Sequence, residues 1–118
     1  MTAGHVNATL FSVTRTEQRT RFAIRQLDPV RRWKLSPNDL ASLDRWEDYT
    51  VAKEEMFHRT DKKHAAWTII RSNDKKRARL NAMRFFLRQF DYEGRDDDVV
   101  SKVDPLLVMR GKQETADE

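Results

Sequence analysis

The order of elements in this 118-residue chain predicts an α/β fold, mostly helical, with two short strands. Three observations support it. Residues 66–70, AWTII, are β-branched and aromatic and read as a buried strand. Three stretches of helical periodicity each follow a capping residue: Thr14, Ser36 and Asp74. The elements then run strand, helix, long helix, strand, helix, the alternation that builds a parallel sheet. Two strands do not make a stable sheet. The chain therefore reads as part of a larger α/β unit.

Taken in order, the first strand falls near Thr9–Val13, where apolar residues alternate weakly. Thr14 and Glu17 have the spacing of a capping box and open a helix. It runs to about Leu27, because Asp28 precedes Pro29 and is biased out of the helical region. Thr16, Thr20, Ala23, Ile24 and Leu27 share one arc of it. Ser36-Pro37 starts a second helix, with Asp39 at the positive end of its dipole. The pattern predicts one long helix over about 37–57, packed through Leu43, Trp46, Tyr49, Met56 and Phe57. A loop follows at 60–64, then the second strand. Asp74 caps a third helix from Lys75 to Phe90, striped by Leu80, Met83, Phe86, Leu87 and Phe90. Residues 111–118 read as a disordered tail, which leaves 1–110 as one domain segment.

Composition excludes several classes of function. Without cysteine there is no disulfide framework, Cys-ligated zinc, iron–sulfur cluster or thiol nucleophile. His58 and His64 have no third ligand at metal spacing. None of the three glycines belongs to a phosphate-cradling loop. No apolar run approaches a membrane span, and no secretory leader is visible, so a cytoplasmic, membrane-free protein is expected.

Net charge is +4, but it comes in blocks. Residues 1–35 carry +5, residues 36–60 carry −3, residues 61–90 carry +7 and residues 91–118 carry −5. A polyanion would favour the first and third blocks. In the first stand Arg15, Arg19, Arg21, Arg25, Arg31, Arg32 and Lys34. Guanidinium forks bind phosphate oxygens bidentately. An ordinary solvated helix face would give the same pattern. In the third block Asp74, Lys75, Lys76 and Arg77 open a helix directly after a strand, where α/β sheets bind ligands. Here too a plain N-cap with solvated lysines is an equal account. Asp44, Asp48 and Glu55 line one helix face, which reads as solvated acid rather than a metal site. Trp33, between Arg32 and Lys34, has the setting to stack on a base or cover a ligand, whereas Trp46 and Trp67 read as core.

Residues 28–57, DPVRRWKLSPNDLASLDRWEDYTVAKEEMF, resemble the polyphosphate kinase 2 family. They follow SVTRTEQ at 12–18 and Arg21-Phe22, and precede WTII at 67–70 and DKKRARLN at 74–81. The similarity runs from about Leu10 to Tyr92 in the family's order and spacing. It implies a partial P-loop kinase-like three-layer fold and a reversible phosphoryl exchange between inorganic polyphosphate and ADP or GDP. It also implies a Mg²⁺ cofactor whose ligands, like the phosphate loop, belong to a region not matched here. By the same resemblance, residues 14–57 correspond to a lid and 65–92 to the strand–helix core. Arg21 and Arg25 would then be catalytic, Arg15, Arg19, Arg31, Arg32 and Lys34 would bind polyphosphate, and Asp74–Arg77 would face the nucleotide. A homo-oligomer or a separate N-terminal half would complete the site. The alternative is a non-catalytic polyanion-binding module. Nucleic acid is a poor fit, because no recognition motif accompanies the basic charge.

Overall fold

The computed structural model describes residues 7–111. Its elements are β1 (Ala8–Ser12), α1 (Arg15–Leu27), a 3-10 turn (Arg32–Lys34), α2 (Pro37–Ser42), a second 3-10 turn (Leu43–Arg45), α3 (Trp46–Thr60), β2 (Trp67–Arg71), α4 (Lys75–Arg88), α5 (Asp97–Val100) and β3 (Val108–Arg110). They form two compact units. One is helical, Val13–Met56; the other contains the sheet and takes in the described residues before Val13 and after Met56.

The sheet unit confirms the α/β class, with one strand more than the two expected. The strand order is β1-β2-β3. β1 and β2 run parallel, from Ala8↔Trp67 to Ser12↔Arg71, and Ser72 N extends the ladder to Ser12 O at 2.7 Å. A parallel pair needs a crossover connection, and the helical unit lies within that crossover. β3 pairs antiparallel to β2 through Thr68↔Arg110, Ile69↔Met109 and Ile70↔Val108. Three residues are too few to show an alternation, so β3 is defined by its partner and not by its own pattern.

The buried apolar residues, Phe57, Ile69, Ile70, Ala78 and Val100, all belong to this unit. Ile69 and Ile70 point to opposite faces of the central strand, and both are buried. The Phe57 ring meets Trp67 edge-on, with centroids 5.8 Å apart. A Cβ on Gly111 would come within 3.1 Å of that Phe57 ring and 3.2 Å of Trp67 Cβ. Gly111, the first residue of the expected tail, is thus buried, and residues 112–118 lie outside the described residues.

α4 is capped as predicted: Asp74 Oδ1 accepts from Arg77 N at 3.1 Å. It ends at Arg88, two residues before the predicted Phe90. There Arg95 Nη1 donates to Phe90 O at 2.7 Å and to Arg88 O at 3.3 Å, serving carbonyls the helix end leaves open. Its Nε donates to Asp97, which raises the guanidinium pKa above its ordinary value. The apolar stripe expected to pack does not: Leu80, Met83, Phe86 and Leu87 are exposed, and the buried arc carries Ala78 and Asn81. Asn81 Oδ1 accepts from Asp104 N at 2.7 Å and its Nδ2 donates to Arg77 O at 2.8 Å, pinning the segment before β3.

In the helical unit, Thr14 Oγ1 accepts from Glu17 N at 3.2 Å to start α1. The helix stops at Leu27, where Asp28 leaves the helical region and its carboxylate accepts from Val30 N at 2.9 Å. α2 opens with a complete capping box between Ser36 and Asp39. The single long helix predicted over 37–57 is interrupted at Leu43–Arg45. Ser42 Oγ donates to Asp39 O at 2.7 Å, and such back-bonding competes with the regular ladder. α3 then continues to Thr60, three residues past the predicted end. Its expected packing holds in part: Phe57 is buried, Leu43, Trp46 and Met56 are half-buried, and Tyr49 is exposed. α1 buries no residue; Leu27, on its predicted apolar arc, is well exposed.

Candidate functional site

The seven predicted cations of the first block all lie in the helical unit, on α1 and on the turn that follows it. Helical spacing puts Arg15 with Arg19 and Arg21 with Arg25, each pair one turn apart. Capping at Thr14 and the stop at Asp28-Pro29 fix both ends of this platform. Beyond Pro29 the 3-10 turn gathers Arg32, Trp33 and Lys34, with Arg31 just before it.

Most of these side chains already have a local contact. Arg15 Nη1 donates to Glu47 Oε1 of α3 at 2.9 Å. Arg21 Nε donates to Glu17 Oε1 at 3.0 Å, one turn back. Arg31 Nε lies 3.5 Å from Asp28 Oδ2. Arg32 Nε donates to Gln26 O at 3.3 Å. Arg25 lies over the Phe22 ring at 5.5 Å, and Lys34 Nζ over Trp33 at 5.4 Å. Arg19 is exposed and has no partner among the described residues. Of these, an exposed ion pair such as Arg31–Asp28 contributes at most about 1 kcal/mol.

The second cluster lies in the other unit, at the carboxyl end of β2. Asp74 is used as the N-cap of α4. Arg77 Nη2 pairs with Asp104 Oδ2 at 2.8 Å. Lys75 and Lys76 are exposed, without partners among the described residues. Of the four predicted residues, two therefore serve the local structure and two face solvent.

Three residues the sequence did not single out shape the sheet unit. Asn81 and Asp104 tie α4 to the segment before β3. Asp61 is buried; its Oδ1 accepts from Trp67 N at 2.8 Å and lies 3.8 Å from Arg110 Nη2. A short-range signal exists only for Asp61, an acidic residue at a helix end before a strand.

Among the described residues no three His, Asp or Glu side chains come together as a metal site. Asp48 instead lies 4.0 Å from Arg45. These residues do not fit a Mg²⁺ site. Nor, among the described residues, is any helix long and apolar enough to cross a membrane.

Residues 3–98 match the family model of polyphosphate kinase 2. The chain is 67% identical over 100 residues to a GDP-polyphosphate phosphotransferase of Mycolicibacterium smegmatis, covering 85% of this chain and 35% of that protein. It is 64% identical over 107 residues to polyphosphate kinase PPK2B of Corynebacterium glutamicum, covering 91% of this chain and 35% of that one. Its fold superposes on the crystal structure of polyphosphate kinase 2 from Arthrobacter aurescens TC1 with a TM-score of 0.66 at 26% identity, over 94% of this chain and 38% of that chain. The chain thus spans about a third of the length of the curated relatives it matches. With the family model covering most of its residues, and its fold matching that of a solved member, the chain belongs to the polyphosphate kinase 2 family.

Proposed function

We propose that this chain supplies the cation-rich lid and the nucleotide-side helix of an enzyme that exchanges phosphoryl groups between inorganic polyphosphate and a nucleoside diphosphate. The observation that carries the proposal is the family match over residues 3–98. The cations of α1 and the following turn, gathered on one helical unit, support it. Phosphoryl transfer proceeds mainly by positioning and by neutralising charge on the transferring group. In this reading Arg21 and Arg25 meet the transferring phosphoryl oxygens. Arg15, Arg19, Arg31, Arg32 and Lys34 follow the polyphosphate chain, their forks replacing the internal pairs described above. Lys75 and Lys76, beside the positive end of α4, attract the phosphates of the diphosphate, while Asp74 and Arg77 hold the helix start in place. The family's Mg²⁺ would neutralise charge between the phosphates, from ligands outside these residues. Because nucleoside diphosphates are cytoplasmic metabolites, the reading places the enzyme in the cytoplasm.

The 118-residue polypeptide by itself is expected to bind polyphosphate weakly and to transfer nothing, since it has no glycine-rich phosphate cradle. The test measures GTP and ATP formed from polyphosphate, Mg²⁺ and each diphosphate. One arm uses the chain alone; the other adds the complementary part of a full-length relative. Turnover is expected only in the second arm. Robust turnover by the chain alone would overturn the proposal of an incomplete site.

A further inference from the structure

The cations of the helical unit are not all held alike. Arg21 meets a carboxylate four residues back and Arg31 one three residues back, as helix and turn spacing allow. Arg15 instead reaches Glu47, on α3, across 32 residues of sequence. Both members of that pair lie in the helical unit, and the Glu47 side chain is 73% exposed.

The contact is incomplete. Arg15 Nη1 donates to Glu47 Oε1 at 2.9 Å, but Arg15 Nε is buried and has no hydrogen-bond partner among the described residues. A buried donor left unpaired is costly. Arg21, by contrast, uses its Nε on Glu17. Arg15 is also the first residue of α1, where the helix dipole disfavours a cation unless an anion stands beside it. Glu47 supplies that anion through the Nη1 bond alone. A phosphate group can supply it through two bonds, because its oxygens match the Nε–Nη edge of a guanidinium.

We propose that Glu47 is a placeholder for polyphosphate: a positioning residue that holds Arg15 while the chain is absent and takes it back when the chain leaves. The proposal rests on the reading that α1 binds polyphosphate, and names the group that exchanges with it. Such an exchange suits a polymeric substrate. After each transfer the polymer must move on by one phosphate, and a contact replaced as it breaks resists that movement less than one left bare. The same exchange lowers affinity, because the incoming phosphate must displace Glu47.

The test compares the unsubstituted chain with Glu47→Gln, Arg15→Gln and the double variant. Asp48→Asn is the charge-matched control: it removes the same charge one residue away, from a side chain 4.0 Å from Arg45. Long-chain polyphosphate is titrated at low salt, and its dissociation is followed after dilution. Glu47→Gln should bind polyphosphate about two- to fivefold more tightly, the range an exposed pair is worth, mainly through slower dissociation. The gain should vanish in the Arg15→Gln background, as a coupled pair requires. Asp48→Asn should give a smaller gain. Circular dichroism checks the fold; if Glu47→Gln loses helical signal, Glu47→Ala is read in its place. Unchanged or weaker binding by Glu47→Gln, a gain that survives Arg15→Gln, or an equal gain from Asp48→Asn would overturn the proposal while leaving the polyphosphate site standing. Failure of the unsubstituted chain and every variant to bind polyphosphate would instead overturn the lid reading under the proposed function, and the placeholder with it.

Discussion

Phe57 and Asn81 anchor the sheet unit by different physics. Phe57 fills the apolar space between Trp67 and Gly111, and a truncation there leaves a cavity that a small core cannot collapse. Phe57→Ala should cost about 3–5 kcal/mol, read as a shifted denaturation midpoint. Trp46→Ala, at a half-buried site, should cost clearly less; an equal cost would show Trp46 to be core. Asn81 is buried but polar, and Asn81→Ala strands the Asp104 amide, for about 1–3 kcal/mol. Arg77→Ala removes only an exposed ion pair and should cost under about 1 kcal/mol by the same measurement. At the basic turn, replacing both Arg31 and Arg32 by Ala should weaken polyphosphate binding. It should also flatten the salt dependence of that binding, by roughly one unit of slope for each phosphate these side chains neutralise. An unchanged slope would remove these two residues from the site.

Among the elements, the break between α2 and α3 has a local cause that can be tested. Ser42 diverts a hydroxyl to the Asp39 carbonyl inside what would otherwise be one helix. Ser42→Ala removes the competing bond and substitutes the best helix former. Helical ellipticity should rise slightly and stability should increase by a few tenths of a kcal/mol. A fall in helicity would mean that the 3-10 turn is imposed by packing and not by Ser42. The platform of α1 is built differently. It buries nothing, and its ends are set by Thr14 and by Asp28-Pro29, so its position along the sequence is locally determined.

For the whole molecule, the five buried apolar side chains among the described residues are a thin core, and all of them lie in the sheet unit. A ligand that binds only the folded state stabilises it by mass action, by about 2.7 kcal/mol at a hundredfold excess over its Kd. Polyphosphate should therefore raise the thermal midpoint of the chain in a concentration-dependent manner, and added salt should cancel the effect. A midpoint indifferent to polyphosphate would argue that the cations of the helical unit are only a solvated surface.

The sequence by itself determined what depends on neighbours a few residues apart. The caps at Thr14, Ser36 and Asp74, the stop before Pro29, the strand around Ile69-Ile70 and the grouping of cations on α1 were all legible, because caps, fixed φ and helical spacing act locally. The motifs of residues 12–81 also carried the family. Tertiary structure decided the rest. Strand β3 exists because β2 offers it an edge, and three residues have no periodicity of their own. The apolar pattern of α4 points to the wrong buried face, since the helix has two apolar faces and only packing chooses between them. The side chains the cations touch were equally invisible: Arg15 reaches Glu47 and Arg77 reaches Asp104 across 32 and 27 residues of sequence. Such pairings arise when the chain brings distant segments together, and no local propensity encodes which residues will meet.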